Sequence, residues 1–282
     1  MSLRAMLDPP RRRAASMVAA GALDPAGASG LTATLSGVSA LGVHGFPVAT
    51  AVRDLTPLPQ RLVVDALHAA LAAGPVDAVL LGDPGRAGHA HAMAEVLEAF
   101  GPWVVDPDLA DAHGEPRHAR DVADAVRSVW LPHTEVLVVD AFEAAILTGR
   151  PVYDRAGMRE AGKRLFDTGA RWIVLTSGAI EGHAIDLAYD GADFIEFGAD
   201  RRREPDLVAA GAVFAGALAA ALATGREVLP AVELAKATVT AAIDAAALVG
   251  DTMRASPLAP ALRAMDVELT PIELPPPPDE TD

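Results

Sequence analysis

Five polar residues each close a short apolar run: Asp24 after SMVAAGAL, Asp83 after AVLLG, Asp106 after WVV, Asp140 after VLVV and Ser177 after WIVLT. Short apolar runs separated by longer amphipathic stretches predict parallel strands with helices between them. The strand ends of such a sheet share one edge, and open α/β folds bind their ligands there. Asp24, Asp83, Asp106, Asp140 and Ser177 are therefore expected along one cleft. Glu143, three residues beyond Asp140, adds a carboxylate at a helix start. It either faces the cleft or serves the helix dipole. Asp83 reads either as a carboxylate that takes a proton or binds a basic ligand, or as the first residue of an Asp-Pro-Gly turn.

A second feature suits an anion. Residues 207–225, LVAAGAVFAGALAAALATG, carry no charge and end on a glycine. As a helix the run buries a stripe of Phe214, Leu218 and Leu222. Its first turn, Ala210, Gly211 and Ala212, has side chains small enough for backbone N–H groups to approach a phosphate. A buried core helix with a small-residue contact face explains the same composition. A membrane span is set aside, because the run only reaches the shortest useful length and is mostly alanine.

Several chemistries are excluded. The chain has no cysteine, which removes disulfides, thiolate metal sites and a cysteine nucleophile. Its eight histidines form no His-Glu-x-x-His pair, and His89 and His91 do not share a helical face. A net charge of −15 argues against nucleic acid and against an anionic membrane surface. No Gly-x-Gly-x-x-Gly follows the first strand, only Gly27 and Gly30, so a dinucleotide fold is not indicated. Arg11–Arg13 and the apolar residues after them resemble a signal peptide, but the apolar run leads into a turn-rich loop and reads better as a strand. A cytoplasmic location is expected.

The elements that must position these residues follow in order. Strands are expected at 15–23, 46–52, 76–81, 103–105, 136–139 and 172–175, with a hairpin at 184–189 and 194–197. Helices are expected at 31–41, 60–73, 90–100, 117–130, 142–148, 154–168, 207–225 and 228–248. The helix at 60–73 places Leu62, Ala66 and Ala69 on its apolar face. Residues 1–13 are expected to be mobile, 14–270 to form one α/β domain with a mostly parallel sheet and helices on both faces, and the Pro-rich acidic 271–282 to be disordered. The apolar face Val232, Ala235 and Val239 suggests a homodimer.

Taken together, these landmarks resemble the hydroxymethylpyrimidine and phosphomethylpyrimidine kinases of thiamine synthesis, within the ribokinase-like superfamily. LDPAGASGLTATLSGVSALGVHGFPVATAV is similar to that family's opening loop, helix and strand. VDAVLLGDPG resembles its Val-Asp-Ala-Val-Lys-Ile-Gly-Met strand end, VVDPDLADAHGE its Asp-Pro loop, and VVDAFEAAILTGR its Thr-Pro-Asn-x-x-Glu-Ala segment. VAAGAVFAGALAAAL falls on its His-Gly-Thr-Gly-Cys-Thr helix start. The resemblance implies ATP-dependent phosphorylation of a small hydroxymethyl pyrimidine or its monophosphate. It implies substrate contacts at Asp24, Gly27, Leu55 and Asp83, and nucleotide phosphates near Asp106, Asp140, Glu143 and Ser177. Mg²⁺ is implied at Asp106 and Glu143, and the transferring phosphate on Ala210, Gly211 and Ala212.

The departures matter as much. Ala212 occupies the position of the family's candidate base, and its methyl accepts no proton. Ala209 stands where the first glycine is expected, Asp140 where the Asn is, Leu55 where a Gln is, Asp83 where Met is and Ser177 where Lys is. Two readings stay open: an ATP-dependent kinase with an altered acceptor (Asp83 being the possible substitute base), and a catalytically impaired pseudokinase that binds a pyrimidine, nucleotide or related metabolite.

Overall fold

The computed structural model describes residues 13–27, 29–52, 56–178, 180, 184–201, 207–249 and 252–254. Strand β1 (Ser16–Leu23) is buried along all but its last residue. A strand covered on both faces needs apolar or small side chains at odd and even positions alike, so it appears in sequence as one continuous run. Strand β2 (His44–Val52) lies parallel to β1 on one side. The two-residue β3 (Thr56–Pro57) pairs antiparallel beyond it. On the other side come β4 (Ala78–Leu81), β5 (Trp103–Val105), β6 (Thr134–Val139) and β7 (Trp172–Leu175), all parallel. Strands β8 (Ala184–Tyr189) and β9 (Phe194–Ala199) complete the sheet antiparallel, as the expected hairpin.

The nine-stranded order is β3-β2-β1-β4-β5-β6-β7-β8-β9. The chain leaves β1 towards β2 but leaves β4 towards β5, in the opposite direction. Loops that diverge in this way open a crevice at the strands' carboxyl ends.

Helices cover both faces. One layer holds α1 (Gly30–Ala40), α7 (Ala210–Ala223) and α8 (Val228–Asp244). The other holds α2 (Gln60–Ala73), α3 (Ala87–Leu97), α4 (Arg120–Ala125, continued by a π-helical turn at Val126–Trp130), α5 (Ala141–Thr148) and α6 (Arg155–Phe166). Alternate residues of each strand feed the two cores. Met17, Leu80, Val104 and Val138 join α7 and α8, whereas Val18, Leu81, Val105 and Val139 join the opposite layer. A small second sheet pairs β10 (Leu207–Val208) with β12 (Thr252–Arg254), which pairs with β11 (Ala247–Val249).

Helix α7 is the centre of its layer. The expectation of a single buried stripe gives way, because every residue from 213 to 223 is buried. The helix packs on α1, α8, β1, β4 and β5. Its small residues are what such close packing permits. A Cβ on Gly216 would lie 2.2 Å from the Thr34 carbonyl oxygen, and one on Gly37 would lie 2.4 Å from that of Val213. Helices α1 and α7 therefore meet backbone to backbone. Among the described residues no helix is long and apolar enough to cross a membrane.

Other expectations are corrected. Helix α2 has the expected bounds but buries Val63, Leu67 and Ala70, while Leu62 is 54% exposed. The apolar positions one residue on point to the sheet, a register that alanines at 66 and 69 obscured. The last helix ends at Asp244, and Ala247–Val249 is a strand. The helix expected at 117–130 begins only at Arg120. Val232, Ala235 and Val239 are buried within the chain's own core, so this face offers no dimer surface. Arg13, assigned to a mobile segment, is tied to Asp77 at 2.6 and 2.8 Å. Residues 1–12 and 271–282 lie outside the described residues.

Replacing Gly216 by Ala places a methyl group against fixed backbone, and overpacking of this kind costs about 1–3 kcal/mol. Thermal unfolding of Gly216→Ala is expected several degrees below that of the parent, at about 2–4 °C per kcal/mol for a chain of this size. Gly211→Ala, whose added Cβ meets nothing within 4 Å, serves as the control and should melt with the parent or slightly above it, since alanine has less unfolded-state freedom than glycine.

Candidate active site

The crevice is a cavity of about 530 Å³ lined by residues from the ends of β1, β4, β5, β6, β7 and β8 and by the first turn of α7. Among the described residues seven carboxylates border it (Asp83, Asp106, Asp108, Asp140, Glu143, Asp186 and Asp200) against two cations, Arg201 and Lys236. An anionic ligand entering such a cleft needs a cation or directed N–H donors to hold it.

The acidic centre is built by a helix start. Asp140 caps α5: its Oδ1 accepts the Glu143 N–H at 2.9 Å, and Glu143 Oε2 accepts the Asp140 N–H at 3.0 Å. This reciprocal capping box fixes both side chains. Glu143 Oε1 accepts the Leu109 N–H at 3.0 Å, which ties the loop after β5 to α5. Glu143 thus combines the two roles open to it in sequence, since it serves the helix end and lines the cavity. Burial, and then the charges of Asp140, Asp106 and Asp108, push its carboxyl well above the ordinary range. Burial, with Asp108 adding to it, also raises Asp140. Four acids held this close favour uptake of a positive charge. Among the described residues no three His, Cys, Asp or Glu side chains form a ready-made metal cage. The donor set nevertheless fits Mg²⁺, which typically uses one or two carboxylates and takes its remaining ligands from water and phosphate.

A second polar unit stands at the other end. Ser177 donates from its backbone N–H (3.0 Å) and its hydroxyl (3.2 Å) to Asp186 Oδ1, and Lys236 Nζ donates to Asp186 Oδ2 at 2.7 Å. All three line the cavity, and the Lys236 and Asp186 side chains are only 13% and 6% exposed. Arg201 closes the loop after β7 by donating to the carbonyls of Ser177 and Ile180 at 2.8 and 2.7 Å.

Between these units the first turn of α7 offers its backbone. Ala209, the N-cap, adopts φ 75° and ψ −10°, the left-handed region that favours glycine. The first intrahelical hydrogen bond runs from Val213 N to Ala209 O at 2.9 Å. The N–H groups ahead of it have no acceptor in the helix, and an alanine cap supplies none. Ala209, Ala210, Gly211 and Ala212 all line the cavity. The missing glycine does not prevent the loop from taking a glycine conformation.

Asp83, Asp106, Asp140, Glu143, Ser177, Ala210, Gly211 and Ala212 are brought together in one cavity, as expected. Asp24 and Gly27 stand apart from its lining. Asp24 organises its own loop, with Oδ1 accepting the Ala26 N–H at 2.8 Å and Oδ2 the Ser29 hydroxyl at 2.9 Å. Gly27 turns the chain there with φ 65°. From this loop Ser29, Gly30 and Leu31 reach the cavity instead. Leu55 lies outside the described residues. Sequence reading missed Asp108, Asp186, Arg201 and Lys236. Lys236 carried a signal, as one of only two lysines in the chain, and so did Asp186, a charge inside an apolar strand.

Comparison with known proteins matches residues 24–257 to the family Phosphomethylpyrimidine kinase. A hydroxymethylpyrimidine/phosphomethylpyrimidine kinase of Mycobacterium tuberculosis is 30% identical over 253 residues, covering 85% of this chain and 92% of the relative. The pyridoxal kinase of Staphylococcus aureus, solved in complex with AMP-PCP and pyridoxal, superposes with a TM-score of 0.79 at 27% identity, over 86% of this chain and 93% of that one. The pyridoxal kinase of Bacillus subtilis, solved as an ADP complex, shares the fold with a TM-score of 0.82 at 24% identity, over 89% and 100% of the two chains.

Holding a non-glycine residue in the left-handed region costs about 1–2 kcal/mol, of which a glycine's extra unfolded-state freedom returns roughly half. Ala209→Gly is therefore expected to leave urea stability unchanged or to raise it by up to about 1 kcal/mol. Ala209→Val, β-branched at the same φ, should lower it by more than about 1 kcal/mol. Equal stability of all three would show that the loop relaxes out of this conformation in solution.

Proposed function

The chain belongs to the phosphomethylpyrimidine kinase family, and on that premise we propose that it transfers the γ-phosphoryl group of ATP to the hydroxymethyl group of a small pyrimidine or to its monophosphate. The observation that carries this reading is the placement of the α7 N-terminus, with its left-handed Ala209, in the same cavity as Asp106, Asp140 and Glu143. A helix start without a side-chain cap and an acidic cluster supply the two things phosphoryl transfer asks of a protein, donors for the moving phosphate and a seat for its cation.

In this reading the N–H groups of Ala210, Gly211 and Ala212 receive the equatorial oxygens of the transferring phosphate and strengthen their hold as charge spreads over them. Mg²⁺, when bound, neutralises phosphate charge and orients the nucleotide. Asp106 and Glu143 would hold it, Glu143 being fixed in place by the backbone N–H groups that its two oxygens accept. Lys236, fixed by Asp186, and the Ser177 loop face the nucleotide. The residues from the ends of β1, β4 and β5 face the acceptor. The nucleotide analogue and pyridoxal in the Staphylococcus aureus relative support a nucleotide and a small hydroxymethyl ring as the two ligands.

Ala212 favours a second reading, a catalytically impaired protein that binds these ligands and turns them over slowly. General-base removal typically costs about 10²–10⁴ in rate, and a loose phosphoryl transition state leans on the base less than most reactions do. Ala209 no longer weighs on that side, because its backbone already takes the glycine conformation.

Calorimetric titration with MgATP, alone and with hydroxymethylpyrimidine, tests both readings. Saturable nucleotide binding with ADP release that depends on the pyrimidine and stops on chelation of the metal is the expected result. Absence of nucleotide binding at millimolar concentration would overturn it. If only the base is missing, Ala212→Asp should raise the rate at least about tenfold. Nucleotide binding without turnover in either protein would favour the impaired reading.

A further inference from the structure

Behind the end of β4 lies a histidine that no step above uses. His89, in the first turn of α3, is fully buried. It backs the turn Asp83–Arg86, which parts the main cavity from a second one of about 610 Å³. Asp83 lines both cavities, and Gly85 and Arg86 line the second. Both ring nitrogens of His89 are engaged within that turn. Nδ1 lies 2.8 Å from the Pro84 carbonyl oxygen, which can only accept, so Nδ1 carries the proton. Nε2 is then the acceptor, and the Arg86 Nε–H donates to it at 2.9 Å. The neutral imidazole thus ties the middle of the turn to its end. From the front the turn is held by the Gly85 N–H, which donates to Asp83 Oδ1 at 2.6 Å, and by the Thr50 hydroxyl, which donates to the Asp83 carbonyl at 2.6 Å.

We infer that His89 is a positioning residue whose neutral ring clamps the turn Asp83–Arg86, and with it the wall that faces the acceptor, and that acid releases the clamp. That the wall faces the acceptor rests on the kinase reading, whereas the clamp itself does not. A second proton on the ring would go to Nε2. It would set an N–H against the Arg86 Nε–H, donor against donor and charge beside charge, in a fully buried site. Arg86, which is exposed, then yields to solvent and the turn loses its inner tie. Among the described residues the charged groups that face the ring are Arg86, from its own turn, and Asp83, from the end of β4. Asp83 in turn lies 2.9 Å from His118, and the segment after β3 contributes the Leu58 carbonyl. Burial, with the Arg86 charge adding to it, holds the ring below the ordinary histidine range, against the Pro84 and Leu58 carbonyls and the Asp83 charge. A histidine depressed in this way binds its proton less readily in the fold than in the unfolded chain. The clamp is therefore complete above the ordinary value of about 6.5 and is lost as pH falls below it through the ring's own value.

The experiment follows the parent chain, His89→Gln and Arg86→Met by NMR from about pH 8 to about pH 5. Ring nitrogen shifts report which atom of His89 carries the proton, and hydrogen exchange reports the protection of the Gly85 N–H. The parent should show the Nδ1–H form at about pH 7. Its Gly85 protection, corrected for the intrinsic exchange rate, should fall about tenfold for each pH unit below the ring's titration midpoint. In His89→Gln, which retains Asp83 and His118, that fall should be absent. Arg86→Met, which removes a like charge, should move the midpoint to higher pH. A proton on Nε2 at about pH 7, or a Gly85 pH course shared by the parent and His89→Gln, overturns the inference. If circular dichroism shows His89→Gln to be misfolded, Arg86→Met carries the comparison, and an unmoved midpoint there overturns it. The acceptor is read separately. In the parent the KM for hydroxymethylpyrimidine should rise about tenfold one pH unit below the midpoint, because only the clamped fraction binds, with the KM for ATP unchanged. His89→Gln should lack that rise. Turnover with a KM indifferent to this step overturns the positioning role. Absence of turnover counts against the kinase reading alone, and the ring and Gly85 signals then decide the clamp.

Discussion

The close approach of α1 and α7 is the constraint on which the rest depends. Two helices that touch through Gly37, Gly216 and backbone carbonyls have almost no freedom to slide, because any larger side chain at the contact meets fixed atoms. That contact, together with burial against the sheet and α8, fixes where α7 begins. Its first turn consequently stands over the carboxyl ends of the strands, with donors already oriented. A helix that owed its place to a single apolar stripe could rotate. One buried on every side cannot.

The acidic side of the cleft shows how one local motif serves both folding and chemistry. The reciprocal bonds of Asp140 and Glu143 satisfy the start of α5 and hold two carboxylates at the rim of the cavity. Their raised protonation tendency comes from burial and from crowding with Asp106 and Asp108, a cost that a bound cation would offset. Opposite them, Asp186 is a buried charge with each oxygen assigned, one to Ser177 and one to Lys236. Breaking such a pair leaves an uncompensated charge, so the pair is held together as a unit.

Much of the architecture was legible in the chain. The runs at 103–105, 172–175 and 184–189 and the helix at 60–73 have the bounds expected of them. Continuous apolar runs identify doubly buried strands, and the polar residue after each run marks the ligand edge. Legibility failed where alanine dominates. In α2 the spacing of alanines allowed two registers, and only contact with the sheet chose Val63, Leu67 and Ala70. The apolar face of α8 was read as a dimer surface because periodicity identifies a face without identifying its partner.

The sequence by itself determined the fold class, the order of elements and the set of strand-end residues, because these follow from local periodicity and from the polarity of single positions. The tertiary structure alone decided which groups meet. It turned Asp24 inward to its own loop and brought Lys236 from α8 to Asp186 on β8 across 50 residues of chain. It also decided that Ala209 adopts the conformation of the glycine it replaces. The physical reason is the same in each case. A pairing between distant residues has no signature in local composition, since the free energy that selects it arises only when packing removes both groups from water.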